Sequence, residues 1–540
     1  MDRRTFLKGS TALAAGGVVA GPAVMAPRDA AAQRAETLLV VAEGGVNSLD
    51  IQVTGANRPT FGLAWNVYDR LVTFGQKRLP DGVLSHDYRN LRPELAQEFQ
   101  EASNGMSATF QLRRDAKFHD GRPVTARDVK YSFDRAVSVG GFPTSQMAAG
   151  SMTKPEQFVV VDDHTFRVDY VRRDRLTLPN LATLAGVVVN SEVVKANAKS
   201  DDPWGMQFTR NNAVGGGAYR IEAWRPNQET IYARNEDWKS GAPPRVRRII
   251  FREVPSAGNR RALLERGDAD LSFDLPPRDV AELKTAGKLK IDGTPMQNTY
   301  QFIGMNVSKA PFDNVKVRQA ICFALPYQRI QDAAMFGRAR MLSGGASATP
   351  TTAEWPQAIP YTTDLARAKA MLAEAGFPNG FETQFSFEVS AATINEPLAV
   401  LIQESLAQIG IRMTINKVPA GQLRGLLARK ELPFYVDTFG AWFDDPDYSF
   451  FLTHHGNNGP WNSASYVNPE MTRLIEAAKD ERDGGKYEEL VKQMIAIAFR
   501  DVSMVGIFQP FLDVAMQPSI SGYQYIFHRQ LEFRTLVKGA

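Results

Sequence analysis

The sequence predicts an exported α/β protein of two lobes. Three observations carry this. Its 540 residues exceed what one hydrophobic core ordinarily serves. Strand-like apolar runs and helical patterns alternate in both halves of the chain, the order that builds α/β layers. The start, Arg3-Arg4-Thr5-Phe6-Leu7-Lys8, is basic and leads into Thr11–Ala26, rich in Ala, Gly and Val. That stretch is too short and glycine-rich for a stable membrane anchor, and reads as an export leader.

Composition narrows the partners. The chain is 44% hydrophobic and 23% charged, as globular proteins are, and its net charge of +4 is small for its size. Lys and Arg are interspersed with acids, so the basic face that nucleic acid requires is missing. The one cysteine, Cys322, excludes an intramolecular disulfide and is expected as a small buried hydrophobe. No run after the leader approaches 18 apolar residues, and no cysteine sits near the cleavage region, so a soluble mature protein without a membrane anchor is expected. Cleavage is expected after Ala26 or within Ala30–Ala35.

Taken in order, Glu36–Glu43 reads as a buried strand and Phe61–Leu71 as a helix with Trp65 in the core. In Thr109–Ala136, Phe110 and Leu112 alternate as a strand and His119-Asp120-Gly121 turns. Thr125 then caps a helix with Asp128 three residues on, and Val129, Phe133 and Ala136 share its inner face. Gly140–Pro155 reads as a loop, Gln157–Val161 and His164–Val171 as a hairpin, Val187–Asn190 as a strand, and Ser191 as the cap of a helix to Ala198. Gly215-Gly216-Gly217 runs into the alternating Tyr219–Trp224, without the Lys-Ser/Thr entry to a helix that a phosphate loop needs. Strand, helix and strand follow at Arg248–Val254, Asn259–Glu265 and Asp270–Phe273.

Thr299–Asn306 is expected to cross to the second lobe. Asp313 or Asn314 caps the next helix, with Val317, Ala320, Ile321 and Ala324 inward and Arg318 in a structural role. Helices at Thr363–Glu374, Asn395–Ile409 and Ala420–Leu427 intersperse with strands at Phe385–Val389, Ile411–Ile415 and Phe434–Phe439, for which a mostly parallel sheet is expected. Helices at Met471–Ala478 and Tyr487–Phe499 precede a second crossing at Met504–Phe508, a return through Leu512–Met516 and a last strand at Glu532–Val537. The domain reading is a leader at 1–35, lobe one at 36–300 with a subdomain at about 75–215, lobe two at 301–504, and a return to lobe one at 505–540.

Thr109-Phe110, Leu112-Arg113, Lys117-Phe118-His119-Asp120-Gly121, Pro123 and Ala126-Arg127-Asp128-Val129 form a long ordered run. It resembles the signature region of the peptide/opine/nickel class of periplasmic solute-binding proteins, extracellular solute-binding protein family 5. Tyr68–Val72, Pro93-Glu94-Leu95-Ala96, Gly215–Tyr219 and Pro311–Ile321 are similar to further family segments, over residues 38 to 535. Ala218 stands where the family has proline, and the tyrosine usual before Trp238 is absent. Asp2–Lys8 resembles a twin-arginine signal. The resemblance implies the two-lobed periplasmic-binding-protein fold of class II/cluster C, with an extra small subdomain in lobe one. It also implies a monomeric solute-capturing subunit of an ABC importer, with a membrane permease as partner and no cofactor. Capture by hinge closure of a small peptide, opine or related amino-containing solute is expected.

For ligand contact the stretch Gly440–Tyr448 is the first candidate, because it follows an apolar strand and combines the ring of Trp442 with Asp444 and Asp445. The family's similar stretch supplies an acid that meets a ligand amine; here it is about two residues shorter, which makes Asp444 the expected equivalent. Trp461 and Asn462 are candidates in the next loop. Arg338 and Arg340 are candidates for an anionic group, because a guanidinium grips a carboxylate with two hydrogen bonds. Tyr300 and Arg58 are weaker candidates. His454 and His455 lack metal-ligand spacing, and no metal site is expected. No Gly-x-Ser-x-Gly elbow, zinc-protease helix or Walker sequence occurs, so an enzyme is not expected. A chaperone-like binder of variable peptides and a sugar importer are the alternatives.

Overall fold

The computed structural model describes residues 36–345, 347–419, 421–526 and 528–539. The leader, with its twin-arginine pair and cleavage region, lies outside the described residues.

One long strand, Met504–Met516, ties the architecture together. Its first half pairs antiparallel with Thr299–Met305, and its second half pairs antiparallel with Lys290–Pro295. The register shifts between Gln301 and Phe302, where the sheet passes from one lobe to the other. Beyond this seam, lobe one continues through Leu271–Ser272, Thr37–Ala42, Arg248–Glu253, Glu229–Arg234 and Tyr219–Arg225. Lobe two continues from Thr299–Met305 through Phe434–Gly440 and Glu382–Glu388 to Arg412–Val418. The last three are mutually parallel, but Thr299–Met305 runs antiparallel to its neighbours on both sides, Phe434–Gly440 and Met504–Met516. The lobe-two sheet is therefore mixed, not mostly parallel: a chain that crosses between lobes twice must run one way and then back.

Smaller sheets belong to lobe one. Ala96–Glu101, Ser107–Leu112, Thr165–Asp169 and Phe158–Asp162 form one of four strands, and Val72–Arg78, Leu84–Pro93 and Gln524–Tyr525 form another. Phe133 packs edge-on against Phe158 and Phe166, with Phe110 buried in the same core between sheet and helix. The helix Ala126–Ser138 begins as its sequence suggests. The Asp128 carboxylate accepts the backbone N–H of Thr125 at 3.0 Å and its hydroxyl at 2.8 Å. Such a cap is worth about 1 kcal/mol. The glycine triplet is a close-approach device. A Cβ at Gly215 or Gly217 would overlap the backbone of Val67, and the Gly217 carbonyl lies 3.0 Å from His119 Nε2.

Three expected elements come out differently. Gly140–Pro155 holds a helix, Gly141–Ala149, entered through left-handed backbone at Gly140 and Gly141; two glycines made the segment look like a loop. Val187–Asn190 makes only a single bridge, Val187 to Arg70, because Asn190 turns out to cap the next helix by accepting the Val193 N–H. The last strand shrinks to Val537–Lys538, paired with Ile520–Ser521. Each lobe keeps its own core. Leu38, Val40 and Trp65 are buried in the first; Ile303, Phe312 and the free Cys322 are buried in the second.

Candidate ligand cleft

Two cavities lie between the lobes, of about 690 and about 1240 Å³. They meet at Arg58, Thr438 and Arg529, which line both. Trp442 reaches from the end of the strand Phe434–Gly440 across to lobe one. Its ring centroid lies 4.3 Å from that of His528, 4.6 Å from Phe142 and 5.6 Å from Phe61. Its carbonyl accepts from His528 Nε2 at 3.0 Å, which places the proton on that nitrogen. Burial pushes the His528 pKa down to about 3, so the ring is neutral. The result is an aromatic wall drawn from both lobes.

The expected site residues divide. Trp442 and Trp461 line the smaller cavity, and Arg338 lines the larger. Trp461 is 43% exposed, and the Arg424 guanidinium lies over its ring at 4.7 Å. Asp444, Asp445, Asn462, Arg340 and Tyr300 do not line either cavity. Asp444 is half-buried. Burial, then the neighbouring Asp445 charge, push its pKa up to about 6 against the pull of Lys77 and Arg89.

Several of these residues are held by partners of their own. Asp445 meets Arg175 of lobe one at 2.5 Å, and the same guanidinium reaches the buried Asp447 at 3.2 Å. Asn462 holds its own loop, accepting the Tyr466 N–H at 2.9 Å and donating to the Tyr466 carbonyl at 2.6 Å. Arg338 pairs with Asp513 in a nearly buried bridge. Arg340 donates to the Pro356 carbonyl at 3.2 Å. Tyr300 is buried among the rings of Phe302, Trp355 and Phe439. Arg318 donates to the carbonyls of Phe312, Asp313 and Asp501, a structural role.

Arg529 is the cleft residue that sequence reasoning missed. No motif surrounds it, and its left-handed backbone, φ 62°, leaves no mark on the sequence. Arg58, a weaker candidate in the sequence, lines both cavities. Among the described residues no group of three or more His, Cys, Asp or Glu could hold a metal ion, and no helix is long and apolar enough to cross a membrane. His455 instead pairs with Glu476 at 3.0 Å, and His454 Nδ1 lies 2.8 Å from the Thr453 hydroxyl.

Comparison with known proteins agrees with this geometry. Residues 90–461 match the family described as bacterial extracellular solute-binding proteins, family 5 Middle. The probable D,D-dipeptide-binding periplasmic protein DdpA of Escherichia coli K12 is 27% identical over 450 residues, 81% of this chain and 83% of that protein. Heme-binding protein A of Haemophilus influenzae is 29% identical over 486 residues, 85% of this chain and 84% of that protein. The glutathione-binding protein GsiB of Pectobacterium atrosepticum is 27% identical over 450 residues, 79% and 82% of the two chains. Among solved structures, the periplasmic binding protein DppA of Helicobacter pylori, in complex with peptide STSA, superposes with a TM-score of 0.77 at 22% identity. The match covers 93% of this chain and 98% of that one. A dipeptide-binding protein from Pseudoalteromonas sp. SM9913, in complex with Met-Leu, gives 0.76 at 23% identity, covering 93% and 100%. These two carry the fold, which is the bilobed α/β periplasmic-binding-protein architecture. With well over half its length matched, the chain belongs to the bacterial extracellular solute-binding proteins of family 5, a family of binders and not of enzymes.

Proposed function

We propose that this protein is the solute-capturing subunit of an ABC importer. It is exported by its leader, closes its two lobes over a small peptide, opine or related amino-containing solute, and hands that solute to a membrane permease. The observation that carries this reading is the cleft itself, whose aromatic wall is assembled from Phe61, Phe142 and His528 on one lobe and Trp442 on the other. A solute seated there touches both lobes, so its binding energy favours the closed form. The cavities suit something larger than a single amino acid. Relatives named for D,D-dipeptides and for glutathione support a peptide-like class. Asp444 lines neither cavity in this form; to meet the solute's ammonium group it must be turned inward on binding by the loop it shares with Trp442, and with a pKa near 6 it is charged at neutral pH.

The test is native mass spectrometry of the purified protein, followed by calorimetry with dipeptides, glutathione, opines and sugars. A nitrogen-containing solute of dipeptide size is expected. Its affinity should fall as pH drops below about 6, where Asp444 takes up a proton. Binding of neutral sugars alone would remove the role of Asp444 and overturn the solute class. Failure of every solute would remove the importer reading.

A further inference from the structure

Five arginines line the two cavities, and three have carboxylate partners: Arg260 with Asp274, Arg338 with Asp513, and Arg424 with Asp437. Arg58 and Arg529 are left over. Among the described residues neither guanidinium lies within ion-pair distance of a carboxylate, yet both stand where the cavities join. Arg58 Nη1 donates to the His528 carbonyl at 3.0 Å, which fixes its head beside the segment that carries Arg529. The other carboxylates on these walls do not compensate them. Asp274 and Asp513 are taken, Glu388 accepts from Ser390 and the Gly421 N–H, and Glu43 is an exposed side chain on the larger cavity alone.

Both positions carry a local cost. Arg58 occupies the first turn of the helix Arg58–Val67, at the positive end of its dipole, with no acidic residue in that turn. Arg529 holds a left-handed backbone that costs a non-glycine residue energy. Arg58 is open to the cleft, but protein surrounds it closely enough to lower its pKa. Burial, then repulsion from Arg58, bring that of Arg529 down to about 9. Two arginines thus stand where the cavities join without a carboxylate counter-ion among the described residues, and Arg529 is still ionised at neutral pH.

We propose that Arg58 and Arg529 form an anion subsite that clamps a carboxylate of the captured solute, so that the cleft selects acid-bearing solutes whose apolar part lies against Trp442, Phe61 and Phe142. This rests on the reading that the cleft captures a solute. A planar two-oxygen group matches the guanidinium fork, and an incoming negative charge relieves the repulsion between the two cations.

The test uses the purified full-length protein and two sets of probes. In the first, citrate is compared with chloride at equal ionic strength. Citrate should raise the Tm of the wild type by about 1–2 °C, the size expected for saturation of a weak site in a protein this large. Arg58→Gln and Arg529→Gly should each abolish that rise; glycine keeps the left-handed backbone. Arg58→Gln without ligand should melt no lower than the wild type, because it removes a repulsion, whereas loss of a structural arginine would lower the Tm. In the second set, the best-binding dipeptide is compared with its C-terminal amide. The amide should bind the wild type at least about tenfold more weakly, the loss of a charged hydrogen-bonding group. A citrate effect no larger than that of chloride, or an amide that binds as well as the acid, overturns the subsite. An amide that binds equally leaves the importer reading standing. A citrate shift that both variants lose, with no dipeptide, opine or sugar bound, upholds the subsite and removes that reading. Because citrate also stabilises folded proteins by exclusion from their surface, a citrate shift that persists in both variants overturns the subsite, and the comparison of acid with amide on the wild type decides if a variant fails to fold.

Discussion

Asp69 is fully enclosed and accepts from Trp238 Nε1 at 3.0 Å and from the Ser240 hydroxyl at 2.9 Å. Burial, then the nearby Glu94 charge, push its pKa up to about 7. Between about pH 4 and 7 the folded protein therefore holds a proton that the unfolded chain has released, and this residue's contribution to stability declines as pH rises through that window. Asp69→Asn keeps an acceptor for both donors and should remove the decline. Its Tm is expected to exceed the wild type near pH 7.5 and to match it near pH 4.5; parallel melting curves at both pH values would refute the assignment. Glu532 acts in the opposite sense. Burial works against its charge, but Arg534, His86 and Arg70 outweigh it and hold its carboxyl far below the usual range. That stability is present above the ordinary carboxylate pKa and is lost on acidification. Arg338 and Asp513 make a nearly buried pair beside the seam between the lobes. Arg338→Ala strands the Asp513 carboxylate and should cost about 3–5 kcal/mol in denaturant unfolding, while the double variant with Asp513→Asn should recover part of it. At this scale sequence reasoning found residue types but not partners. Arg338 is a plausible ligand arginine until the chain brings Asp513 to it.

At the scale of elements, the start of the helix Pro446–His454 is where the lobes are fastened. Arg175 of lobe one holds both Asp445 and Asp447 and lies over the Tyr487 ring at 4.0 Å, while the Tyr487 hydroxyl donates to Asp447 at 2.6 Å. Nearby, the Tyr448 hydroxyl lies 3.2 Å from Gln146 Oε1. Arg175→Ala removes the cation between two carboxylates on one side of the cleft. The closed form should lose population, seen as a larger radius of gyration in solution scattering and a roughly tenfold weaker solute affinity, the scale of a partly buried charge pair across an interface. Unchanged scattering and affinity would show that the pair does not latch the lobes. The acidic stretch was legible in the sequence as a ligand candidate, because carboxylates beside a tryptophan look alike whether they meet a solute or the opposite lobe. The glycine triplet was legible as scaffold. Gly217→Ala should destabilise the protein by about 2–4 kcal/mol, since its Cβ would overlap the rigid Val67 backbone; a Tm equal to the wild type would contradict that packing.

For the whole molecule, two cores share one continuous strand, Met504–Met516, and one antiparallel seam. The lobes are thus separately packed but joined by few backbone connections, the arrangement that permits hinge motion. Trp442 reports on it, since its ring lies among lobe-one rings while its backbone belongs to lobe two. Solute binding should shield it from acrylamide, and the change in quenching should vanish in Trp442→Phe; equal quenching with and without solute would argue against closure. The sequence by itself determined the α/β class, the capped helices and the resemblance to family 5, because periodicity, caps and ordered motifs are local and survive in one dimension. The tertiary structure alone decided that Arg58 and Arg529 both line the junction of the cavities with no counter-ion among the described residues, that Asp445 and Arg338 are already paired, and that the lobe-two sheet is mixed. Those outcomes depend on which distant segments the fold brings within a few ångströms, and hydrogen-bond partners 470 or 270 residues apart leave no periodic signal in the chain.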